Sequence, residues 1–124
     1  MERQPLYAFY GSLRRGMQNY VGFKDALHYC YSVWVPGFYL VSLGDYPAAI
    51  PSSPNDYILT EVFHVVDKRA EQKIIDLEHT SGYEMTEFFL FGEPVKIFVF
   101  KSGENFPKVE GGDWVTFFRQ QTLG

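Results

Sequence analysis

The chain has 124 residues, of which 46% are hydrophobic and 19% aromatic, and its net charge at pH 7 is −4. This length predicts one domain over residues 1–124 with one hydrophobic core. The charge argues against nucleic acid as a partner, because phosphate contacts need a basic surface, and favours a small molecule. No apolar run approaches the roughly 18 residues of a membrane-spanning helix, so we expect no membrane insertion. Residues 1–5 lack the apolar segment of a signal peptide, which predicts a cytoplasmic protein.

Cysteine and histidine usage predicts neither a disulfide nor a metal site. Cys30 is the only cysteine, and we expect it to be a buried packing thiol rather than a nucleophile. The three histidines, His28, His64 and His79, lie far apart and lack the short spacings of metal ligands. We therefore predict that the protein holds no metal ion.

In the first half of the chain, aromatic and β-branched runs bounded by turn residues predict strands. In chain order, these runs are residues 6–10, 31–35 and 38–43. Residues 11–16 are predicted as a loop, and a short helix is predicted to begin near Asn19. We expect residues 48–51 to be irregular and the Pro- and Ser-rich residues 51–56 to form a surface loop.

The second half of the chain begins with a predicted strand over residues 57–66. It leads to Asp67, which is placed to N-cap a helix over residues 68–79. Residues 83–91 and 95–100 then predict a hairpin around Gly92-Glu93-Pro94.

The end of the chain is less regular. Residues 102–112 predict a loop, and residues 113–118 fit a strand or a helix. Since the chain shows no internal repeat and no linker, these elements together predict a mixed α+β domain with one curled sheet, compatible with a barrel, and few helices.

The sequence over residues 9–16 is Phe-Tyr-Gly-Ser-Leu-Arg-Arg-Gly, an aromatic strand that ends in a turn between two glycines. Because Gly11 has no Cβ, the backbone there can adopt conformations closed to other residues, and neighbouring N–H groups can converge on an oxygen. Arg14 and Arg15 add positive charge. The pattern predicts an anion-binding loop; a strand end followed by an exposed loop is the alternative.

Two glutamates are candidates for a site. Glu78 lies near the end of the predicted helix, on the flank of its apolar stripe. There the helix dipole and partial burial would both raise the pKa of its carboxyl and make it a stronger base. A solvent-exposed or ion-paired helix-end glutamate is the alternative. Glu61 shares a strand face with Phe63, so its inward carboxylate needs a cation, which Arg14 or Arg15 could supply as a structural contact.

Five short motifs follow one another along the chain. They are Tyr10-Gly11-Ser12-Leu13, Gly44 with Tyr46-Pro47-Ala48, Thr60-Glu61-Val62-Phe63, Leu77-Glu78 with Tyr83, and Gly112-Asp113-Trp114. In this order and spacing they resemble those of the gamma-glutamylcyclotransferase-like family, which includes plant avirulence-induced proteins and gamma-glutamylamine cyclotransferases. The resemblance extends over nearly the whole chain.

The resemblance implies an α+β fold, a mixed β-barrel flanked by a few helices. It implies an enzyme of the lyase or acyltransferase type that cyclises a gamma-glutamyl amide or amine to 5-oxoproline and releases the amine, without a cofactor. Glu78 would be the general acid and base. The residues that the resemblance assigns to substrate binding are Tyr10, Gly11, Ser12, Leu13, Tyr46 and Tyr83.

The chain departs from the family pattern around Glu78. Many members follow the Leu-Glu pair with glycine and carry a basic residue soon after the tyrosine, whereas here Glu78 precedes His79 and Tyr83 precedes Glu84. The leaving group therefore stays open between glutathione, a gamma-glutamyl amino acid, a gamma-glutamyl-lysine isopeptide and a biosynthetic amide. The alternative function is a non-catalytic small-molecule-binding or interaction module on the same fold.

Overall fold

The computed structural model describes residues 4–123, with side chains through residue 121. In this part of the chain, aromatic and β-branched runs form seven strands, which three α-helices accompany. The first half contains β1 (Leu6–Phe9), α1 (Tyr20–Phe23), β2 (Leu27–Pro36), β3 (Phe38–Ser42), β4 (Pro47–Pro51) and β5 (Tyr57–Val65). The second half contains α2 (Lys68–Thr80), β6 (Glu84–Leu90), β7 (Glu93–Val99) and α3 (Trp114–Leu123). A 3₁₀ turn, Lys24–Ala26, joins α1 to β2.

All seven strands belong to one mixed sheet, whose order is β2-β5-β1-β7-β4-β3, with β6 paired to β7. β7 runs parallel to β1 and to β4, and the other pairs are antiparallel. The predicted α+β class is therefore confirmed. The predicted barrel needs correction, because the sheet is open: within the described residues, no ladder joins β2 to β3.

An irregular segment, residues 107–112, forms hydrogen bonds to both β3 and β5. The Val109 N–H donates to the Leu40 carbonyl at 2.8 Å, and the Leu59 N–H donates to the Gly112 carbonyl at 2.9 Å. Gly112 has a φ of 69°, and a Cβ there would clash with a backbone oxygen of β5. Since the left-handed backbone cannot continue a β-ladder, the segment hydrogen-bonds both strands without becoming one.

Helix signals in the sequence are confirmed. Asp67 caps α2, since its side chain accepts a hydrogen bond from the Arg69 N–H at 2.9 Å. The predicted short helix near Asn19 is α1. Of residues 113–118, which fitted a strand or a helix, those from Trp114 onward open α3. Asp113 precedes the helix and accepts a 2.8 Å hydrogen bond from the hydroxyl of Thr116 in the first turn.

Two strand predictions and one burial prediction need correction. Residues 48–51, predicted to be irregular, belong to β4, because Ala48 and Ala49 are completely buried between neighbouring strands and packing overrides their weak strand propensity. The β6–β7 hairpin turns at Phe91 and Gly92, whose φ values are 51° and 78°, so the residues after Gly92 already belong to β7. Cys30 is partly exposed rather than buried, because β2 shifts register there.

The core lies on both faces of β1. Ala8 and Tyr10 pack in a cluster with Trp114 of α3, whereas Tyr7 and Phe9 pack in a second cluster with Ile74 of α2. Because successive residues of a strand face opposite sides, β1 is held by two layers of apolar contacts. The loop that follows β1 therefore starts from a fixed point. No helix in the described part of the chain is long and apolar enough to span a membrane.

Candidate active site

The end of β1 opens into a cavity of about 210 Å³ beside the last turn of α2. The cavity is lined by every residue that the resemblance assigned to the site: Tyr10, Gly11, Ser12, Leu13, Tyr46, Glu78 and Tyr83. Asn19, Pro47 and Ser81 also line it, although sequence reasoning did not assign them to the site. Asn19 follows the loop and Ser81 follows α2, so both sit next to assigned residues, but no motif marked them.

The backbone of the loop after β1 is folded by its own carbonyl groups. The Gly11 carbonyl accepts from the Arg14 N–H, and the Ser12 carbonyl accepts from the N–H groups of Asn19 and Tyr20, all at 3.0 Å. By contrast, the N–H groups of Gly11, Ser12 and Leu13 donate no hydrogen bond to any group in the described residues. Three residues of the cavity lining thus carry backbone donors without a partner in the described residues.

Gly11 is required by a close contact rather than by an unusual backbone conformation. Its φ is not positive, and a Cβ at this position would lie 2.7 Å from Cγ and 2.8 Å from Cδ of Pro47. The expectation of a special conformation at Gly11 is therefore wrong, and the left-handed residue of the loop is Gly16, with a φ of 83°. The absence of a side chain at Gly11 lets the loop approach β4 closely enough to close the cavity.

Replacing Gly11 with Ala should therefore lower the free energy of unfolding by about 1 to 3 kcal/mol, because the new methyl group must displace Pro47 or the loop. Urea denaturation of the variant and the wild type measures this loss. Gly22→Ala is the matched control, since among the described residues no atom beyond its chain neighbours and its own helix backbone lies within 4 Å of the added Cβ. Equal stability of the Gly11 and Gly22 variants would contradict the steric argument.

The two arginines of the loop turn away from the cavity. Both bind Glu61 of β5, Arg14 through Nε at 3.2 Å and Arg15 through Nε at 3.1 Å, and neither lines the cavity. The expectation that they add positive charge to an anion site is corrected, whereas the expected pairing of Glu61 with arginine is confirmed. A ligand in the cavity would therefore meet neither guanidinium group.

Glu78 lies in the last turn of α2 with its carboxylate half-buried at the cavity. Burial raises the pKa of this carboxyl from its ordinary value of 4.5 to about 7. Within residues 4–121, the carboxylate has no hydrogen bond or ion pair. The alternative of a solvated or ion-paired helix-end glutamate is therefore wrong. At neutral pH this group can both accept and return a proton.

The two tyrosines beside Glu78 have their hydroxyl groups tied to the backbone. The Tyr10 hydroxyl donates to the Phe98 carbonyl at 2.6 Å and accepts from the Ala49 N–H at 3.0 Å. The Tyr83 hydroxyl donates to the Pro47 carbonyl at 2.5 Å. Burial raises the pKa of both phenols, so they stay protonated and hold the cavity wall rather than transfer protons.

Replacing Tyr10 with Phe should lower the free energy of unfolding by about 1 to 3 kcal/mol, because the buried Ala49 N–H loses its acceptor. Chemical denaturation checks the value. Tyr57→Phe serves as the control, since Tyr57 is half-exposed at the surface. An unchanged midpoint for the Tyr10 variant would show that the hydrogen bond contributes nothing.

Tyr46 stands at the cavity mouth, with 43% of its surface exposed. Leu43 and Leu77 line the cavity with it, so the lining includes apolar surface. None of the described lining residues is Lys, Arg or His. Among the described residues, no group of three or more His, Cys, Asp or Glu is arranged to hold a metal ion.

Comparison with known proteins places this geometry in a family. The family model described as gamma-glutamyl cyclotransferase, AIG2-like, matches residues 7–116. The uncharacterized protein PH0828 from Pyrococcus horikoshii has a similar structure, with a TM-score of 0.80 and 20% identity over 96% of this chain and 97% of that one.

Two further solved structures share the fold. Protein ytfP from Escherichia coli has a TM-score of 0.71 and 22% identity over 89% of this chain and 96% of that one. An aig2-like protein from Mus musculus has a TM-score of 0.65 and 19% identity over 88% of each chain. A comparison with curated proteins finds no match. The extent of the family match shows that the chain belongs to the gamma-glutamyl cyclotransferase, AIG2-like family.

Proposed function

We propose that the protein is a gamma-glutamyl cyclotransferase that converts a gamma-glutamyl amide or amine into 5-oxoproline and releases the amine. The observation that carries this proposal is one shared cavity: Glu78, whose carboxyl pKa is raised to about 7, lines it together with Gly11, Ser12 and Leu13, whose N–H groups have no hydrogen-bond partner in the described residues. Membership in the family supports the reaction class.

Glu78 would move the proton in this reaction. The α-amine of the substrate attacks its own gamma-carbonyl carbon, so that one C–N bond forms within the ring and the C–N bond to the leaving amine breaks. The Glu78 carboxylate takes a proton from the attacking nitrogen and returns it to the leaving nitrogen. Protons balance over the cycle, and the step consumes neither water nor an oxidant. A group with a pKa near neutrality suits both halves of this transfer.

The loop after β1 would stabilise the charge that develops on the carbonyl oxygen. Backbone N–H groups that have no partner in the described part of the chain could bind the tetrahedral oxygen without first breaking a bond. In other enzymes, loss of one such donor lowers kcat roughly 100- to 1000-fold. Since the cyclisation is intramolecular, the cavity also accelerates it by holding the amine folded toward the carbonyl.

The cavity favours a leaving group without a carboxylate of its own. The described lining residues include no Lys, Arg or His, and Leu43, Tyr46 and Leu77 offer apolar contacts. A second carboxylate would enter this surface unpaired, beside the negative charge of Glu78. We therefore expect gamma-glutamyl-n-butylamine to be a better substrate than gamma-glutamyl-norvaline, which differs from it by the added carboxylate.

The test is to incubate the protein with these two compounds and with glutathione and gamma-glutamyl-lysine, and to measure 5-oxoproline by mass spectrometry. The N-acetyl form of each compound is the matched control, because it lacks the attacking amine. Formation of 5-oxoproline from the free compounds alone supports the proposal. Tight binding without turnover on any compound would favour the binding-module alternative instead.

A further inference from the structure

Four charged side chains, Arg14, Arg15, Glu61 and Asp113, form a cluster outside the cavity, and we call it the loop-anchor cluster. Its ion pairs join the loop to β5 and to the start of α3. Arg14 and Glu61 are nearly inaccessible, with 8% and 7% of their side chains exposed. Each of these buried charges therefore needs the opposite charge of the other to compensate for its lost hydration. Two guanidinium groups face two carboxylates, which leaves the cluster without net charge.

Asp113 supplies the second negative charge of the cluster, at the guanidinium group of Arg14. Its carboxylate binds the Arg14 guanidinium at 2.9 Å and also accepts the Thr116 hydroxyl. Burial alone would raise the pKa of Asp113, but the hydrogen bonds from Thr116 and Arg14 outweigh it and hold the pKa below its ordinary value. Asp113 therefore stays ionised, but it contacts only the side chain of the loop residue.

Glu61 differs from Asp113 because it also binds the backbone of the loop. Its Oε1 accepts the Arg15 backbone N–H at 2.9 Å in addition to the Arg15 Nε. Glu61 itself is fixed, since it pairs with Phe9 in the β1–β5 ladder. One rigid carboxylate thus holds both the main chain and two side chains of the loop.

The other backbone hydrogen bonds recorded for residues 11–16 are internal to the loop and the segment that follows it. They shape its turns, but they do not fix the loop relative to the sheet. Among the hydrogen bonds of the described loop backbone, only the one to Glu61 reaches the sheet, and it lies two residues after Leu13, whose N–H group has no partner in the described residues. A charge-assisted hydrogen bond to a carboxylate is stronger than a bond between neutral groups, which suits this role.

We propose that Glu61 is a positioning residue: through the Arg15 main chain and the two guanidinium groups, it holds the loop so that the N–H groups of Gly11, Ser12 and Leu13 remain at the cavity wall. Its effect on catalysis rests on the function proposed above. Its effect on the loop does not, because that effect concerns the free protein. The two effects can therefore be measured separately.

The experiment compares Glu61→Gln with Asp113→Asn in the full chain. Both changes remove one carboxylate from the cluster, and Asn retains the ability to cap α3. Hydrogen exchange and amide chemical shifts of residues 11–16 are measured by NMR, and kcat and KM are measured with gamma-glutamyl-n-butylamine, per folded molecule. Arg15→Ala is the second variant if Glu61→Gln does not fold, because the Arg15 side chain is 46% exposed.

For Glu61→Gln we expect exchange at the Arg15 N–H to accelerate about tenfold or more, the amide shifts of Gly11, Ser12 and Leu13 to move, and kcat to fall roughly tenfold or more with little change in KM. Asp113→Asn should change each value much less. Arg15→Ala should shift the same amides in the same direction, by a smaller amount, since it removes only the Arg15 side-chain contact.

Wild-type exchange and amide shifts in folded Glu61→Gln would overturn the proposal, and so would a loosened loop with unchanged kcat. The same amide behaviour in Asp113→Asn would also overturn it, since the backbone contact would then be irrelevant. Absence of 5-oxoproline with wild-type protein would instead refute the proposed function, and the exchange comparison would still decide whether Glu61 positions the loop.

Discussion

Glu78→Gln is expected to lower kcat by about two to four orders of magnitude, because the amide cannot take the proton from the attacking nitrogen. Substrate binding should change little, since glutamine has nearly the same shape and the Glu78 carboxylate makes no hydrogen bond or ion pair within residues 4–121. The measurement is the steady-state rate of 5-oxoproline formation by the wild type and the variant under identical conditions.

The matched control for this substitution is Asp76→Asn. Asp76 lies on the same helix, two residues before Glu78, but it is exposed and does not line the cavity. The control removes the same charge from α2 and should retain the wild-type rate. Turnover that survives in Glu78→Gln would mean that another group moves the proton, and the mechanism would have to be abandoned.

The second large effect concerns the pH dependence of kcat/KM, whose midpoint should lie well above the pKa of an ordinary glutamate. Because burial raises the pKa of Glu78 to about 7, its ionised fraction falls about tenfold for each pH unit below that value. The ratio kcat/KM should therefore rise about tenfold per pH unit up to about pH 7 and then level off. Rates measured between pH 5 and pH 9 test this, and a midpoint near 4.5 would contradict it.

The same pKa difference links stability to pH. The folded protein binds the Glu78 proton more tightly than the unfolded chain does, so its contribution to stability is complete below pH 4.5 and is lost as the pH rises through about 7. Glu78→Gln removes this pH-dependent loss of stability, because the glutamine side chain does not ionise. The variant should match the wild type at pH 4 and be more stable at pH 8, by on the order of 1 to 3 kcal/mol.

Urea denaturation of both proteins at pH 4 and pH 8 measures the linkage. A variant that gains stability while it loses turnover cannot owe its inactivity to misfolding, so the two measurements support each other. A wild type that is more stable than Glu78→Gln at pH 8 would show instead that the carboxylate has a favourable partner in the folded protein.

The sequence predicted those parts of the fold that local signals control. The helix after Asp67 and the loop after β1 depend on capping, periodicity and glycine placement within a few residues. The position of Glu78 near the helix end and on the flank of its apolar stripe follows from the same periodicity. The inward direction of the Glu61 carboxylate could be predicted because successive side chains of a strand point to opposite faces of the sheet.

Strand β4 was not predictable in this way. Ala48 and Ala49 have weak strand propensity, and they become strand because neighbouring strands bury them completely. The conformation of residues 107–112 depends likewise on hydrogen bonds to strands that are far away in sequence. Contacts between distant segments leave no local pattern for a sequence analysis to detect.

The sequence by itself determined the family motifs, the α+β class, the capped helix that carries Glu78, and the need of Glu61 for a cation. The tertiary structure decided the rest of the site: Arg14 and Arg15 turn to Glu61 and away from the cavity, Gly11 is required by Pro47, and a half-buried position raises the pKa of Glu78. The physical reason is that side-chain direction and desolvation are set by neighbours that only folding brings together.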